Sequence, residues 1–125
     1  MKEIVKLFKA LSDESRLRIL NLVFHVNELC VCDIQRVLGF TQTKVSRHLS
    51  YLKNAGILED ERNGGWILYR LNKINNPMRE ELYQHLKKMF ATEQVLQDDI
   101  KVLNDSVNKG QCVSISVLPI HKVSE

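Results

Sequence analysis

The chain has 125 residues, of which 44% are hydrophobic and 26% charged, and its formal net charge is +3. This composition is typical of one globular domain and excludes a disordered polyelectrolyte. No stretch approaches the roughly 20 apolar residues of a membrane span, and the first residues lack the apolar run of a signal peptide. We therefore expect a cytoplasmic protein without a membrane partner.

The first half of the chain predicts four helices. Asp13 is placed to cap the second helix and Thr41 to cap the fourth, while Gly39 suits the left-handed residue that ends the third. Two short helices joined by a turn that contains glycine are typical of a helix-turn-helix. Apolar residues recur at helical spacing in both helices and form the stripes that we expect to be buried. These residues are Val31, Ile34, Val37, Leu38, Val45, Leu49 and Leu52.

A β-hairpin is predicted directly after the fourth helix. Asn63, Gly64 and Gly65 form a strong turn signal, and residues 66–71 are rich in strand formers. A hairpin in this position corresponds to the wing of a winged helix-turn-helix. The sequence therefore predicts a mainly α fold with a small β-hairpin wing.

One long helix is predicted after the wing, with Asn76 as its N-cap and Pro77 at its first position. Its apolar residues alternate in steps of four and three, interrupted at Glu93, over about four heptads. A helix of about 30 residues is long for so small a domain, so we expect its seam to pair with a second copy rather than only with its own domain. The expected domain spans 1–108 and is followed by a tail, 109–125. The predicted seam consists of Leu82, Leu86, Met89, Leu96, Ile100, Leu103 and Val107.

The segment 35–56 contains four basic residues and no Asp or Glu, a pattern expected of a DNA-facing surface, although a solvated surface would also account for it. The exposed face of the fourth helix carries side chains that bond to phosphates and base edges. His48 is equally compatible with a base contact and with a half-buried structural role. The expected DNA contacts, including two wing arginines, are Thr41, Gln42, Thr43, Lys44, Ser46, Arg47, His48, Ser50, Arg62 and Arg70.

Three cysteines are an odd number and do not suit a disulfide framework in a reducing compartment. Cys30 is predicted at the N-cap of the third helix and Cys32 at its second position, where the helix dipole favours thiolate. Thiolate is the ligand that soft ions such as As(III), Sb(III), Cd(II) and Pb(II) prefer. Side chains two apart on a regular helix point about 200° from each other, so we expect both thiols to share one ion only if the first turn bends. Cys112 is the expected third ligand, from the same chain or a partner, and a spectator role is the alternative.

Three segments resemble the ArsR/SmtB family of metal-responsive winged-helix repressors: KALSDESRLRIL at 9–20, ELCVCDI at 28–34 and TQTKVSRHL at 41–49. The resemblance covers 8–71 and implies a homodimer, built on the first and last helices, that an inducer releases from operator DNA. The segment at 28–34 is most similar to arsenite and antimonite sensors, which implies As(III) or Sb(III) as the inducer. Gln35 stands where those sensors often carry a third cysteine. The resemblance speaks against a zinc site in the last helix, where His85 lacks matching partners, and against the Cd(II) or Pb(II) variant with N-terminal cysteines.

Two other functions stay open at this point. One is a thiol-redox or persulfide-sensing repressor, in which Cys30 or Cys32 forms a cross-link to Cys112. The other is a thiol oxidoreductase that uses the Cys-x-Cys pair, although Cys-x-x-Cys is the more typical redox spacing. Because no general base, nucleotide loop or catalytic triad pattern accompanies the pair, we expect no enzyme.

Overall fold

The computed structural model describes residues 1–111, in which six α-helices and three β-strands follow one another. Most of the expected tail, with Cys112, lies outside the described residues. None of the described helices combines the length and apolar character needed to cross a membrane. The elements are α1 Lys2–Leu11, α2 Glu14–Val26, β1 Glu28–Cys30, α3 Val31–Leu38, α4 Gln42–Asn54, β2 Leu58–Asn63, β3 Trp66–Leu71, α5 Pro77–Phe90 and α6 Gln94–Asn108.

The predicted helix ends are confirmed. The side chains of Asp13 and Thr41 each accept a hydrogen bond from the backbone amide three residues on, at 3.0 and 3.1 Å. Gly39 ends α3 with φ of 73°, in the left-handed region that glycine adopts without steric cost. Asn76 caps α5 and Pro77 occupies its first turn. These local signals fix where α2, α4 and α5 begin.

The predicted wing is confirmed as the antiparallel pair of β2 and β3, closed by a turn at Gly64 and Gly65. The sequence analysis missed β1, which pairs antiparallel with β3 so that Cys30 lies opposite Leu68. A strand of three residues is too short to show the alternation that predicts strands. The sheet order β1-β3-β2 attaches the wing directly to the start of α3.

The core lies between the helix-turn-helix and the helices that flank it. The apolar stripes predicted for α3 and α4 point inward, with Val31 partly buried at the edge, and α2 contributes a further buried row. Burial of this apolar surface is the main force that holds the three helices together. The largest fully buried side chains include Ile19, Leu20, Leu22, Leu29, Ile34, Leu49, Leu52, Ile57, Leu58, Leu68 and Leu103.

The prediction of one long last helix is wrong, because α5 ends at Phe90 and α6 begins at Gln94. The break lets α6 pack on α2 and α3 of its own chain. Leu96 and Leu103, which we expected to face a second copy, are buried in this core. Two amphipathic helices packed on one domain produce the same spacing of apolar residues as a coiled-coil seam, so periodicity alone does not distinguish them.

Candidate metal centre and nucleic-acid interface

Cys30 occupies the junction between β1 and α3. Its backbone is extended, with φ of −91° and ψ of 167°, and its Sγ accepts a hydrogen bond from the backbone amide of Asp33 at 3.4 Å. The predicted N-cap role is thereby confirmed, with a sulfur in the place of the usual oxygen. The β1–β3 pairing covers this position, and Cys30 is 3% exposed.

Cys30, Cys32 and Asp33 form a cluster in which the two sulfurs and a carboxylate oxygen all lie within 4.8 Å of one another. Two sulfurs bound to one ion through bonds of about 2.3 Å lie at most about 4.6 Å apart, so this spacing still leaves a small approach of the sulfurs to be made. The premise of the expected bend, that the two thiols point away from each other, is wrong. Because Cys30 is the extended N-cap and not a helical residue, the 200° angle of a regular helix does not apply to this pair.

The expectation of a dipole-stabilised thiolate is also wrong for Cys30. Burial raises the pKa of the Cys30 thiol far above its ordinary value, and the hydrogen bond with Cys32 and the charge of Asp33 add to this. Desolvation outweighs the helix dipole here because the sulfur is almost wholly enclosed. The Cys30 thiol therefore holds its proton more strongly than an ordinary cysteine, while the half-buried Cys32 lies closer to solvent.

Asp33 belongs to the cluster, which the sequence analysis did not propose. Its carboxylate is fully buried and accepts a hydrogen bond from Arg36 Nη1 at 3.1 Å. The signal was present in the sequence, since an acidic residue directly after Cys-x-Cys offers a third donor atom. The burial of the carboxylate beside the sulfurs depends on tertiary packing.

The expected recognition helix α4 presents most of the predicted DNA contacts on one side. Among the residues that the structure describes, Arg47 forms no ion pair with an acidic side chain. Lys44 lies over the Phe40 ring with Nζ 3.9 Å from the ring centroid. Thr41, Gln42, Thr43, Arg47 and Ser50 are exposed, and Lys44 and Ser46 are half-buried.

Two other basic residues of the acid-free segment are charge-compensated from outside it. Lys53 Nζ lies 3.1 Å from a carboxylate oxygen of Asp60 on β2, and Arg36 is paired with Asp33. The positive charge that remains is therefore concentrated on α4, at Lys44 and Arg47. This distribution is narrower than the sequence pattern predicted.

His48 is buried, with its Nδ1 3.4 Å from Nη1 of Arg16. Burial lowers the pKa of His48, and the neighbouring cations Arg47 and Arg16 contribute to the shift, which the charge of Asp13 opposes. A neutral, enclosed imidazole has little access to a base edge. Of the two interpretations that the sequence left open, the structural role is the one that this placement supports.

The two wing arginines have different surroundings. Arg62 is exposed near the tip of the hairpin. Arg70 is half-buried and pairs with Glu28 on β1 and with Glu59 and Glu61 on β2. Arg70 therefore lies among three carboxylates and joins the three strands, and it is not grouped with the side chains of α4.

A helix-turn-helix followed directly by a hairpin wing defines the winged-helix class of DNA-binding regulators. The pattern described as "Bacterial regulatory protein, arsR family" matches residues 13–60. The chain is 39% identical over 77 residues to the arsenical resistance operon repressor of Bacillus subtilis (strain 168), a match that covers 60% of this chain and 73% of that protein. The chain belongs to the ArsR family of bacterial regulatory proteins.

Other relatives match the same region. The arsenical resistance operon repressor of Escherichia coli (strain K12) is 47% identical over 68 residues, 54% of this chain. A cadmium resistance transcriptional regulatory protein CadC homolog of Staphylococcus aureus is 37% identical over 88 residues, which cover 70% of this chain and 68% of that protein. The chain spans less than two thirds of the first relatives it matches, for example 58% of the Escherichia coli protein.

Solved structures confirm the predicted fold class. The transcriptional repressor BigR from Xylella fastidiosa is 28% identical with a TM-score of 0.62, over 74% of this chain and 88% of that one. The homodimeric winged helix-turn-helix domain of Mb0332 from Mycobacterium bovis is 28% identical with a TM-score of 0.56, over 78% of this chain and 81% of that one. The family consists of transcriptional regulators, which confirms the expectation that the protein is not an enzyme.

Proposed function

We propose that the protein is a homodimeric transcriptional repressor that binds operator DNA and is released when As(III) or Sb(III) binds Cys30 and Cys32. The observation that carries the proposal is the cluster of two sulfurs at the start of α3, whose ligand atoms lie within 4.8 Å of one another. Helix α3 is the first helix of the DNA-binding pair, and only a short turn at Gly39 separates it from α4. Sulfur chemistry and DNA binding thus share one structural unit.

The DNA-binding part of the proposal rests on the exposed side of α4. Arg47 presents a guanidinium that pairs with guanine or phosphate, and Gln42 presents an amide that pairs with adenine. Arg62 on the wing extends the cationic surface beyond the helix. The proposed DNA contacts are Thr41, Gln42, Thr43, Lys44, Ser46, Arg47, Ser50 and Arg62, whereas His48 and Arg70 hold structural positions.

The dimer is supported by the apolar side chains that the described helices leave exposed. On α1, Ile4 is 54% and Phe8 57% exposed, and on the last two helices Met89 and Val95 are similarly open to solvent. Exposed apolar surface of this kind is typical of protein interfaces. The homodimeric state given for the Mycobacterium bovis neighbour agrees with this assignment.

The choice of metalloid rests on the donor set and on the relatives named for arsenical resistance. Arsenite carries three hydroxyl groups, and each leaves as water with the proton of a thiol when an As–S bond forms. The exchange therefore suits a Cys30 thiol that holds its proton. As(III) takes three sulfurs, and Cys112 is the proposed third ligand, three residues beyond Lys109, the C-cap of α6. Cd(II) or Pb(II) is the alternative ion, as the cadmium-resistance relative suggests, but both thiols must then first lose their protons.

An arsenite titration of the protein–duplex complex tests the proposal. The duplex is the one that the wild-type protein selects from a random-sequence pool, and release is followed by fluorescence anisotropy. We expect arsenite to weaken binding by about 5- to 150-fold, the range of typical allosteric coupling. Cys30→Ser and Cys32→Ser should each abolish the response while the affinity without arsenite stays unchanged, because serine is also a good N-cap at position 30 and position 32 is only half-buried.

Two further results decide the details. Cys112→Ser should weaken arsenite binding without affecting the unliganded complex, and an unchanged arsenite affinity would remove Cys112 from the ligand set. A double variant, Cys30→Ser with Cys32→Ser, that still releases DNA would contradict the assigned site. A response to oxidant alone, with a cross-link to Cys112, would favour the redox regulator instead.

A further inference from the structure

Arg16, in the first turn of α2, holds the end of α1. Its Nε donates a hydrogen bond to the carbonyl oxygen of Ala10 at 2.8 Å, and its Nη2 donates to the carbonyl oxygen of Lys9 at 3.0 Å. The last carbonyl groups of a helix have no partner within the helix. Arg16 therefore adds bonds from α2 to the C-terminal end of α1, where the Lys9 carbonyl also accepts from the amide and the hydroxyl of Ser12.

The same guanidinium packs against the recognition helix α4. Its central carbon lies 3.9 Å from the centroid of the Tyr51 ring, and Nη1 lies 3.4 Å from His48 Nδ1. The Arg16 side chain is 12% exposed and His48 is buried, whereas Tyr51 is 41% exposed, so the contacts with α4 are partly shielded from water. One side chain thus connects α1 with α4.

Helix α1 packs on the rest of the domain through one apolar face. Leu7 and Ala10 are its buried residues, while Ile4, Val5 and Phe8 form an exposed apolar face. That face belongs to the proposed dimer interface. Arg16 consequently lies between the helix that meets the second copy and the helix that meets DNA.

We propose that Arg16 is a positioning residue that sets the orientation of α4 relative to α1, and through it the separation of the two recognition helices in the dimer. The inference rests on the proposed function. Half-sites of helix-turn-helix dimers lie about 34–36 Å apart, one turn of DNA. A change in the angle between α1 and α4 therefore impairs binding to two half-sites at once, but not binding to one.

The geometry calls for arginine in particular. A planar guanidinium donates along its edge to two carbonyl groups while its face stacks on an aromatic ring, whereas the ammonium of lysine is a compact point charge. Arg16→Lys should therefore resemble Arg16→Gln, even though it keeps the positive charge. A role that depended only on charge would be rescued by lysine.

Arg79 offers a matched control. It is a half-buried arginine that also lies over a tyrosine ring, 6.0 Å from the centroid of Tyr83, and donates to a backbone carbonyl, that of Gly56, at 3.5 Å. None of the described contacts of Arg79 involves α1. Arg79→Gln should lower stability without changing the preference of the dimer for a duplex with two half-sites over a duplex with one.

The experiment compares two duplexes with the full-length protein: the one that the wild type selects from a random pool, and the same duplex with one half-site scrambled. The ratio of the two affinities measures paired binding. We expect Arg16→Gln and Arg16→Lys to reduce this ratio by about three- to tenfold, the range of a partly exposed cation–π contact. Affinity for the single half-site should stay within about twofold of wild type, and Arg79→Gln should keep the wild-type ratio.

Circular dichroism identifies variants that fail to fold. In that case Tyr51→Leu replaces them, since it removes the stacking and keeps the hydrogen bonds of Arg16 to α1, and its ratio should also fall. Folded Arg16 or Tyr51 variants with the wild-type ratio would overturn the inference alone. A wild type that selects no duplex, or that shows no preference for two half-sites, would overturn the proposed function and the inference with it.

Discussion

The two helices of the helix-turn-helix begin in the same way but in opposite surroundings. In α3 the Cys30 sulfur accepts a hydrogen bond from the amide of Asp33 at 3.4 Å, and in α4 the Thr41 hydroxyl accepts one from the amide of Lys44 at 3.1 Å. Cys30, the last residue of β1, is buried, whereas Thr41 is open to solvent.

The same N-cap hydrogen bond can therefore be made by different side-chain atoms, and the choice of atom depends on whether the helix start is buried or exposed. A hydroxyl is the common N-cap, and at the exposed start of α4 it leaves the helix end and its cations free to approach DNA. A thiol is a weaker acceptor, and at the buried start of α3 it places a soft sulfur donor beside Cys32 and Asp33. On the proposed function, the start of α3 serves ion binding and the start of α4 serves DNA recognition.

The largest expected effect is on DNA affinity and tests whether α4 is the helix that contacts DNA. Arg47→Ala should weaken duplex binding by about 5- to 150-fold, the cost of about 1–3 kcal/mol typical of an arginine that contacts a base. Lys53→Ala is the control, because Lys53 is already paired with Asp60 and should change affinity much less. Anisotropy titrations at two salt concentrations measure both. Equal losses in the two variants would mean that the cationic surface is broader than α4.

A smaller effect is expected on stability at the caps. Thr41→Ala should lower the free energy of unfolding by about 1 kcal/mol because the Lys44 amide loses its acceptor, while Thr41→Ser should be nearly neutral. At the other helix, Cys30→Ser should also be nearly neutral because it retains a capping atom. Urea denaturation followed by circular dichroism measures these differences. A large loss in Cys30→Ser would show that burial of the sulfur, more than capping, stabilises α3.

The smallest effect concerns pH and the buried face of α4. Since the pKa of His48 is lowered in the folded state, the unfolded chain binds the proton more readily. The contribution of His48 to stability is therefore present above the ordinary histidine value of 6.5 and is lost as the pH falls through the lowered one. His48→Gln should flatten the pH dependence of unfolding in this window. An unchanged slope in His48→Gln would exclude its titration as the cause.

Local signals in the sequence determined where most of the elements begin and end. The caps at Asp13, Thr41 and Asn76, the glycine after α3 and the turn of the wing were all predicted, because each depends on residues only two or three positions away. The Cys-x-Cys pair at the start of α3 was found in the same way. Such features need no knowledge of what packs against them.

Tertiary structure decided which of these groups are buried and what they meet. Strand β1 exists because Glu28–Cys30 lies beside β3, far along the chain, and this pairing encloses Cys30 and raises the pKa of its thiol. The break before Gln94 is likewise stabilised from a distance, by the bond from Asn21 to the carbonyl of Leu96 and the pairing of Arg18 with Asp99. Burial and long-range packing depend on residues that are far apart in sequence. No local pattern could therefore predict strand β1, the raised pKa of Cys30 or the break before Gln94.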